Sequence, residues 1–337
     1  MKSNKLKILI ATGIYPPALG GPAEYAKNIE ESWREIDHEV MIKTYTKVER
    51  TLPIFLRHIY FLFKSAYYFL KADFVLVLDT FSVALPIAVL SFIFRKPFII
   101  RTGGDFLWES YVERTGKKVL FKNFYQIEQD PFSLKEKIIF KLTKWILDQA
   151  KVLVFSTDWQ RQIWTQPYGL DLSKTKIVEN FYGSKINNSD GTKQIFIGTT
   201  RPLVWKNTDI LRRVFDRTEV AGLGFGLDMT VYKHDIFLHK IAESYAVILV
   251  SLGDISPNMI LEAVRAGKPF ICTRECGLYD KLKDIGLWVD PLNEEDIVEK
   301  VKWLTDPINY KTQQMKVREF SFTHTYKQIA EELLNLK

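Results

Sequence analysis

The chain alternates between short, continuously apolar segments and longer segments with helical periodicity, and this alternation limits its fold more than any other feature. In the first half the apolar segments are KILIAT, HEVMIKTY, FVLVLD, PFIIR and KVLVFS. The stretches between them, such as PAEYAKNIEESWREI, carry apolar residues at helical spacing. Strands that are apolar without alternation are buried on both faces, as in a parallel sheet covered by helices. The first half is therefore predicted to be a doubly wound α/β domain.

A second series of the same kind follows a polar stretch. NFYGSKINNSDGTK, residues 180–193, is rich in Asn, Ser, Gly and Lys, and QIFIGTT, YAVILVS and PFICT then alternate with helical segments. A chain of 337 residues is too long for one ordinary core. We therefore predict the α/β fold class with two Rossmann-like domains, 1–180 and 181–321, and a cleft at the carboxyl ends of their strands.

Composition excludes several classes of protein. Hydrophobic residues make up 47% and charged residues 26% of the chain, which is ordinary globular composition and argues against disorder. The longest apolar run, SVALPIAVLSFIF, is shorter than the ~20 residues of a membrane span and is predicted to be a buried helix. Nothing resembles a secretory signal, and Cys272 and Cys276 are expected to be reduced thiols in a cytoplasmic protein.

The net charge of +7 suits an anionic partner, namely a phosphorylated metabolite, an acidic membrane surface or nucleic acid. No recognised nucleic-acid motif is present, so no nucleic-acid partner is expected. His234 and His239 are five residues apart and lie on different faces of a helix, which argues against a pair of metal ligands.

ISPNMILEAVRAG, residues 255–267, predicts a loop that turns into a helix. Ser256 is expected at the N-cap and Pro257 at the first helical position, which leaves the amides of the first turn open to phosphate. Asp254 and Glu262, eight positions apart, flank these amides. Because carboxylates repel phosphate but accept hydrogen bonds from hydroxyls, a ligand that combines a phosphate centre with hydroxyl-rich ends fits, as a nucleotide sugar does. A capped surface helix with an incidental acid is the alternative.

Two basic residues follow the first strand of the second series. IFIGTTRPLVWKN places Arg201 and Lys206 five positions apart, at the strand end where phosphates commonly bind. The planar fork of arginine and the point charge of lysine suit a diphosphate, and they would stabilise negative charge on a departing nucleoside diphosphate. Solvated basic residues in a loop remain the alternative.

A glycine-rich turn follows the first strand of the chain. In YPPALGGPAEY, Gly20 and Gly21 allow a ligand to approach the backbone closely, and a helix can begin at the following proline. The stretch does not match the GxGxxG dinucleotide fingerprint, and no P-loop is present. An ordinary βα turn is the alternative.

Taken together, these motifs resemble those of family 4 glycosyltransferases of the GT-B fold. YPPALGGPAEYAKNIEESWREIDHEVMIKTYT is similar to the opening of that family, and Arg201 and Lys206 match its diphosphate-binding Arg and Lys. DISPNMILE matches its Glu-x7-Glu motif, with Asp254 at the first acid and Glu262 at the second. AVRAGKPFICT matches the Ala-Gly-x-Pro turn that follows. The resemblance extends from about residue 6 to the final helix.

The resemblance implies a retaining transfer of a sugar from a nucleoside-diphosphate sugar to a hydroxyl acceptor, such as a glycan or a lipid-linked saccharide. The C-terminal domain would bind the donor and the N-terminal domain the acceptor, with a last helix at about 322–337 crossing back to the N-terminal domain. No metal or other cofactor is expected, because the basic pair replaces a divalent cation. A role in cell-surface polysaccharide synthesis, at the inner face of the membrane, would follow.

The same resemblance assigns roles to single residues. Arg201 and Lys206 would hold the diphosphate, Asp254 would orient the donor sugar and Glu262 would hold the ribose. The start of the helix, Ser256, Pro257 and Asn258, would assist at the diphosphate. Gly20 and Gly21 would let the sugar approach the acceptor side.

The sequence departs from the family pattern at several positions. Asp254 is one methylene shorter than the usual Glu, and Asn207 replaces the usual Gly after the lysine. TGGD stands where many relatives have a His, which leaves Asp105 as a weak acceptor-side candidate. The interval between LRRVF and YAVILVS is short enough to have lost one strand-helix unit.

Two other functions remain possible, and two segments of the sequence have more than one interpretation. A nucleotide-sugar epimerase of the GT-B fold would need an acid/base pair, and a membrane-associated binding module would have lost catalysis. LPIFLRHIYFLFKSAYYFLK combines aromatic and basic residues, so it fits either an anionic membrane surface or a helix packed on the sheet. The stretch 102–131 lacks clear periodicity and fits an acceptor lid or a plain insertion.

Overall fold

The computed structural model describes residues 5–18, 20–126, 132–186, 193–198 and 201–337. It divides into two compact units. Unit 1 comprises Met1–Leu107, Pro131–Phe181 and His324–Lys337, and unit 2 comprises Trp108–Asp130 and Tyr182–Thr323. Residues 108–126, which the sequence prediction placed in the N-terminal domain, belong to unit 2 by their contacts. Residues 187–192 of the predicted linker lie outside the described ranges.

The strands of the described chain are short and mostly buried. They are β1 (Lys7–Thr12), β2 (Glu39–Thr44), β3 (Phe74–Val77), β4 (Ile99–Thr102), β5 (Val152–Phe155), β6 (Thr175–Ile177), β7 (Ile195–Gly198), β8 (Gly226–Asp228), β9 (Ala246–Leu249), β10 (Phe270–Thr273) and β11 (Leu287–Val289).

Helices separate nearly all of these strands. They are α1 (Gly21–Glu35), α2 (Lys47–Thr51), α3 (Ile54–Lys71), α4 (Ala84–Phe94), α5 (Phe106–Thr115), α6 (Leu134–Gln149), α7 (Asp158–Tyr168), α8 (Thr208–Asp216), α9 (Thr218–Ala221), α10 (His234–Glu243), α11 (Asn258–Arg265), α12 (Tyr279–Leu282), α13 (Glu294–Thr305), α14 (Pro307–Glu319) and α15 (Tyr326–Leu334). Short 3-10 turns occur at Phe121–Gln126, Leu172–Lys174 and Val204–Lys206.

Unit 1 is built on a six-stranded parallel sheet in the order β2-β1-β3-β4-β5-β6. The central strands are continuously apolar because helices cover both faces of a doubly wound sheet. Ile8, Ile10 and Leu76 are fully buried in its core, as the uninterrupted KILIAT and FVLVLD segments predicted. The order reverses between β1 and β3, so the loops after these two strands diverge and leave a crevice at their carboxyl ends.

The last helix of the chain packs on the first helix of unit 1. Thr325 caps α15 in a capping box with Gln328, which fixes where the helix begins. The Trp33 indole of α1 donates a hydrogen bond to the Ala330 carbonyl at 3.0 Å, and the ring of Tyr326 stacks on Phe181 at 4.6 Å. The predicted return of the C-terminal helix to the N-terminal domain is confirmed.

Unit 2 repeats the arrangement with a five-stranded parallel sheet in the order β11-β10-β9-β7-β8. Taken in chain order, its first strand lies between the second and the third, as in unit 1. The reversal falls between β7 and β9, which are paired through Ile197 and Val247. The short interval before β9 holds one strand, β8, and the helix α10.

The stretch 102–131, expected to lack regular structure, contains α5 and a 3-10 turn within its described part. Its aromatic side chains supply the reason, because Trp108, Tyr111, Phe121 and Phe124 are buried. Among the described residues, none of the helices is long and apolar enough to cross a membrane.

Candidate functional site

The topology of unit 2 brings the predicted donor-site side chains to one edge of its sheet. Ligands of doubly wound sheets bind at the carboxyl ends of the strands where the order reverses. In unit 2 the loop after β7 carries Arg201 and Lys206, and the loop after β9 carries Asp254 and Ser256. The two predicted motifs, about fifty residues apart in the sequence, therefore meet at one edge of the sheet.

Lys206 and Asp254 form an ion pair at this edge. Lys206 Nζ lies 2.5 Å from Asp254 Oδ2, and the two side chains are only 11% and 13% exposed. The ammonium also lies 4.3 Å from the centre of the Trp205 ring. The backbone N–H of Asp254 donates to the Glu275 carbonyl at 2.9 Å, and its carbonyl accepts from Gly277. One carboxylate oxygen thus holds Lys206, and the backbone of Asp254 is fixed on both sides.

Arg201 lies at the surface beside the same indole. Its guanidinium carbon is 5.7 Å from the centre of the Trp205 ring, and the residue is exposed. Trp205 itself is only 7% exposed. One exposed cation, Arg201, and one buried cation, Lys206, therefore lie near the same aromatic ring.

Asn207 adopts the left-handed backbone conformation that glycine adopts most readily. Its φ is 55°, which few residues other than glycine and asparagine adopt. The side chain is fully buried and donates to the carbonyls of Val250 at 3.1 Å and Pro291 at 2.7 Å. Asn207 thus makes the backbone turn after Lys206 and bonds it to the loops after β9 and β11.

The helix proposed to bind the diphosphate, α11, begins one residue later than predicted. Pro257, not Ser256, is the N-cap, and α11 starts at Asn258 without a side-chain cap. The reason is that Pro257 has an extended ψ of 105°. Ser256 Oγ is buried and has no hydrogen-bond partner among the described residues. The amides of Ile260 and Leu261 donate to the Pro257 carbonyl at 3.1 and 3.3 Å, so among the described residues the donors left for a ligand are the amides of Asn258 and Met259 and the Ser256 hydroxyl.

Glu262 lies further along α11 and contacts Arg265. Glu262 Oε2 is 3.1 Å from Arg265 Nη1, and the carboxylate side chain is 13% exposed. Burial raises the pKa of Glu262 above its ordinary value, although Arg265 and the nearby His234 act in the opposite direction. The structure thus places Arg201 and Lys206 beside the Trp205 ring and pairs Lys206 with Asp254. Glu262 lies on α11, the helix that follows Asp254 in the chain.

Glu275 is a buried acid at this edge that the sequence motifs did not identify. It follows β10, is 4% exposed, and its Oε1 lies 2.5 Å from Lys122 Nζ. Burial raises the pKa of Glu275, and Lys122 lowers it. The free thiols of Cys272 and Cys276 are also buried here. The only signal in the sequence was the position of TREC at a strand end, which alone does not single out Glu275.

The described residues contain no group of three or more His, Cys, Asp and Glu side chains arranged to hold a metal ion. The donors at this edge are instead backbone amides at the start of α11, the buried hydroxyl of Ser256 and Lys206. Such a set can hold an anion directly, without a bridging cation.

Unit 1 carries the glycine turn at its own point of strand reversal. Gly20 has a φ of 139°, a conformation that residues with a side chain rarely adopt, and α1 begins at Gly21. The loop after β3 contains Asp79, which accepts hydrogen bonds from the amides of Phe81, Val83 and Ala84. Burial raises the pKa of Asp79, and these three amides counteract that rise. No sequence motif had indicated Asp79.

Asp105, the weak acceptor-side candidate, is an internal hydrogen-bond acceptor. It is 2% exposed, and its Oδ2 accepts from the Trp164 indole at 2.8 Å. It lines a cavity of about 10 Å³ with Thr80, Thr143 and Tyr168, which is room for about one water molecule. These contacts are those of a structural carboxylate, and a contact between Asp105 and an acceptor stays a prediction.

No family model matches the chain, and no curated protein matches it in sequence. Solved structures do match it over nearly its whole length. Anabaena HepE in complex with UDP-glucose is 14% identical, with a TM-score of 0.65 and 98% of each chain covered. Sucrose-phosphate synthase from Thermosynechococcus elongatus is 13% identical, with a TM-score of 0.70 and the same coverage of both chains.

A third match is the catalytic domain of starch synthase IV from Arabidopsis thaliana, bound to ADP and acarbose. It is 11% identical, with a TM-score of 0.68 and 99% of each chain covered. Identity at this level establishes the fold alone. Together with the two parallel sheets and the returning C-terminal helix, these likenesses show that the chain has the GT-B fold predicted from its sequence.

Proposed function

We propose that the chain is a glycosyltransferase that moves a sugar from a nucleoside-diphosphate sugar to a hydroxyl acceptor with retention of configuration. The observation that carries the proposal is the ion pair of Lys206 and Asp254 at the strand reversal of unit 2, beside the uncapped start of α11. Two of the structurally similar proteins are bound to UDP-glucose and to ADP, which supports a ligand of this class.

The diphosphate is assigned to Arg201, Lys206 and the first turn of α11. When the donor binds, Lys206 exchanges Asp254 for a phosphate oxygen, and the exposed Arg201 closes on the other phosphate as a planar fork. The amides of Asn258 and Met259 and the hydroxyl of Ser256 add neutral donors. In the transition state these groups stabilise the negative charge that grows on the departing diphosphate.

The carboxylates are assigned to the hydroxyl-rich ends of the donor. Asp254, released from Lys206, accepts a hydrogen bond from the transferred sugar, and Glu262 accepts hydrogen bonds from the ribose. Retention follows from departure and attack on the same face of the sugar, with the leaving phosphate taking the proton of the acceptor hydroxyl. The acceptor is a glycan or a lipid-linked saccharide, bound by unit 1 near Gly20 and Gly21.

The test is a binding screen followed by a transfer assay. Thermal unfolding is measured with UDP, GDP and ADP and with their glucose, galactose and mannose conjugates, and the ligands that raise the midpoint are titrated by calorimetry. The proposal requires micromolar to millimolar binding of at least one nucleoside diphosphate. Absence of binding by all of them would favour the non-catalytic binding module.

Incubation of the protein with the bound donor alone distinguishes the transferase from an epimerase. A transferase leaves the sugar configuration of the donor unchanged and hydrolyses it slowly. Conversion of the donor into its epimer without an acceptor would overturn the proposal.

A contact with an anionic membrane is proposed as part of the same function, because unit 1 exposes an apolar helix face. On α3, Phe55 and Phe63 are each 73% exposed and Tyr67 is 64% exposed, and on α4 Phe92 is 66% exposed. The exposed Lys71 and Arg95 lie at the ends of these helices. Aromatic rings flanked by basic residues insert into the interface of an anionic bilayer.

Sedimentation with vesicles tests the membrane contact. The protein is expected to pellet with vesicles of phosphatidylglycerol and phosphatidylcholine and less with phosphatidylcholine alone. The double variant F55S/F63S should stay in the supernatant, whereas Ile308→Ser, at a 76% exposed apolar residue of unit 2, should behave as the wild type. Equal sedimentation of the wild type and F55S/F63S would exclude α3 as the membrane surface.

A further inference from the structure

Residues 108–126 form a segment of unit 2 that contacts each loop of the candidate donor site. It belongs to the stretch Trp108–Asp130, which is flanked in the sequence by parts of unit 1. The ring of Trp108 packs against the loop after β7, since its centre lies 5.6 Å from that of Trp205, and it lies 5.1 Å from Phe121 within the segment. A Cβ built on Gly253 would lie 2.5 Å from the Cβ of Phe121, so only glycine allows this approach.

Backbone hydrogen bonds join the segment to the same loops. The amide of Phe121 donates to the Leu252 carbonyl at 3.1 Å, and the amide of Leu252 donates to the Trp205 carbonyl at 2.8 Å. The segment, the loop after β9 and the loop after β7 are thus connected in series. Such a chain of hydrogen bonds fixes the spacing of the loops that carry Asp254 and Lys206.

Lys118 holds the residue that follows Lys206. Its ammonium lies 2.7 Å from Asn207 Oδ1 and 2.7 Å from Asp209 Oδ2. The Asn207 amide group is therefore bonded at its oxygen by Lys118 and at its nitrogen by two carbonyls. Because Asn207 has an uncommon positive φ, these bonds set the direction in which the chain leaves Lys206.

Lys122 holds the residue that supports Asp254. Its ammonium pairs with Glu275, whose backbone carbonyl accepts the hydrogen bond from the Asp254 amide. The carboxylate of Glu275 is 5% exposed, so the ammonium of Lys122 compensates a buried charge. Lys118 and Lys122 therefore each anchor the neighbour of one member of the Lys206–Asp254 pair.

We propose that Lys118 and Lys122 are positioning residues for donor binding, which hold Lys206 and Asp254 at the separation that the diphosphate and the sugar require. The proposal rests on the proposed function, because it concerns the donor of that reaction. Neither lysine is assigned a contact with the donor. Each acts through one buried polar residue, Lys118 through Asn207 and Lys122 through Glu275.

The first test needs no ligand. Hydrogen exchange is measured on the full chain for the wild type, K118M, K122M and the control K311M, an exposed lysine on α14. K118M is expected to speed exchange at residues 204–210 and K122M at residues 252–256, with the rest of unit 2 unchanged. Unchanged exchange in these peptides would overturn the proposal. Faster exchange throughout unit 2 would also overturn it, because the lysines would then stabilise the whole unit and not the two site loops.

The second test measures binding by calorimetry with UDP, GDP and ADP. Each methionine variant is expected to bind the nucleotide about tenfold more weakly than the wild type, since small displacements of positioned groups have effects of this size or larger. K118R should recover part of the affinity, and K311M should match the wild type. If the wild type binds a nucleotide and the variants bind it equally well, the proposal is wrong. If the wild type binds none, the proposed function fails, and hydrogen exchange alone decides the anchoring.

Discussion

The two units share a strand order but differ in what lies at its point of reversal. At the carboxyl edge of unit 2, a buried cation and a carboxylate pair with each other, and α11 begins in the same loop without a side-chain cap. At the corresponding edge of unit 1, the carboxylate of Asp79 is bonded to three amides of its own loop, and Asp105 is bonded to an indole. The sheet determines where a crevice forms, and the loops determine which chemistry it offers.

The carboxylates of the two units differ in whether a charged ligand can displace their partners. An ion pair with one free carboxylate oxygen can exchange partners with a charged ligand, because the ligand replaces the charge that it displaces. A carboxylate that already accepts three backbone hydrogen bonds has no such exchange open to it. We therefore expect charge-changing substitutions in unit 2 to alter binding and transfer, and those in unit 1 to alter stability.

The largest effect is expected for Lys206→Met. The variant loses the buried cation for the diphosphate and leaves Asp254 as a buried carboxylate without its partner. Removal of one preorganised group that stabilises transition-state charge lowers kcat by about 100- to 1000-fold. Steady-state assays with the identified donor check this, with Lys311→Met as the matched control. A loss below about threefold would remove Lys206 from the reaction.

For Asp254→Asn we expect a smaller loss of transfer than for Lys206→Met, together with a gain in nucleotide affinity. The amide keeps the size of the side chain but releases Lys206 from its ion pair, so affinity for the nucleoside diphosphate should rise several-fold. Transfer should fall by about 10- to 100-fold, because a charged acceptor for the sugar hydroxyl is lost. Calorimetry with the nucleotide and a transfer assay separate the two quantities. A fall in both would show that Asp254 supports the site only structurally.

The fold could be predicted from the sequence, whereas several contacts of the candidate site could not. The alternation of KILIAT-like strands and helices predicted both doubly wound sheets, and the motif order predicted the GT-B fold and the return of α15. The direct contact of Lys206 with Asp254 was not predicted, because the resemblance assigned the two residues to different parts of a ligand. The start of α11 was misplaced, since Ser256 and Pro257 fit a cap by residue type and only the backbone angle of Pro257 excludes it.

Other features could not be predicted from the local sequence, because they depend on contacts with distant parts of the chain. Residues 108–126 carry no strong periodicity, and their structure follows from packing against Trp205 and Gly253, which lie far along the chain from them. Asp79 and Glu275 look like ordinary acids after strands, and only burial and their partners distinguish them. Local propensity predicts elements well, whereas the pairing of polar groups is decided by tertiary contacts.

The next effect concerns the pH dependence of nucleotide binding through Glu262. The pKa of Glu262 is raised by burial, so its carboxylate takes up a proton at a higher pH than an ordinary glutamate. Because the ionised form accepts hydrogen bonds from the ribose, affinity should fall as the pH is lowered through this raised pKa, and be constant above it. Glu262→Gln should weaken binding about tenfold and flatten this part of the profile. A wild-type affinity that is constant down to the ordinary pKa of glutamate would contradict the assignment.

The smallest effect on activity is expected at Asp105, where the comparison between the units is sharpest. Asp105→Asn retains an oxygen that can accept the hydrogen bond from the Trp164 indole, so kcat/KM should change less than about twofold. Asp105→Ala leaves the buried indole N–H without its acceptor and should lower the free energy of unfolding by about 1–3 kcal/mol. Urea unfolding and acceptor-dependent transfer rates measure the two quantities. A large rise in the KM for the acceptor in Asp105→Asn, at unchanged stability, would place acceptor recognition on Asp105 and give unit 1 a carboxylate that acts on a ligand, as those of unit 2 are proposed to do.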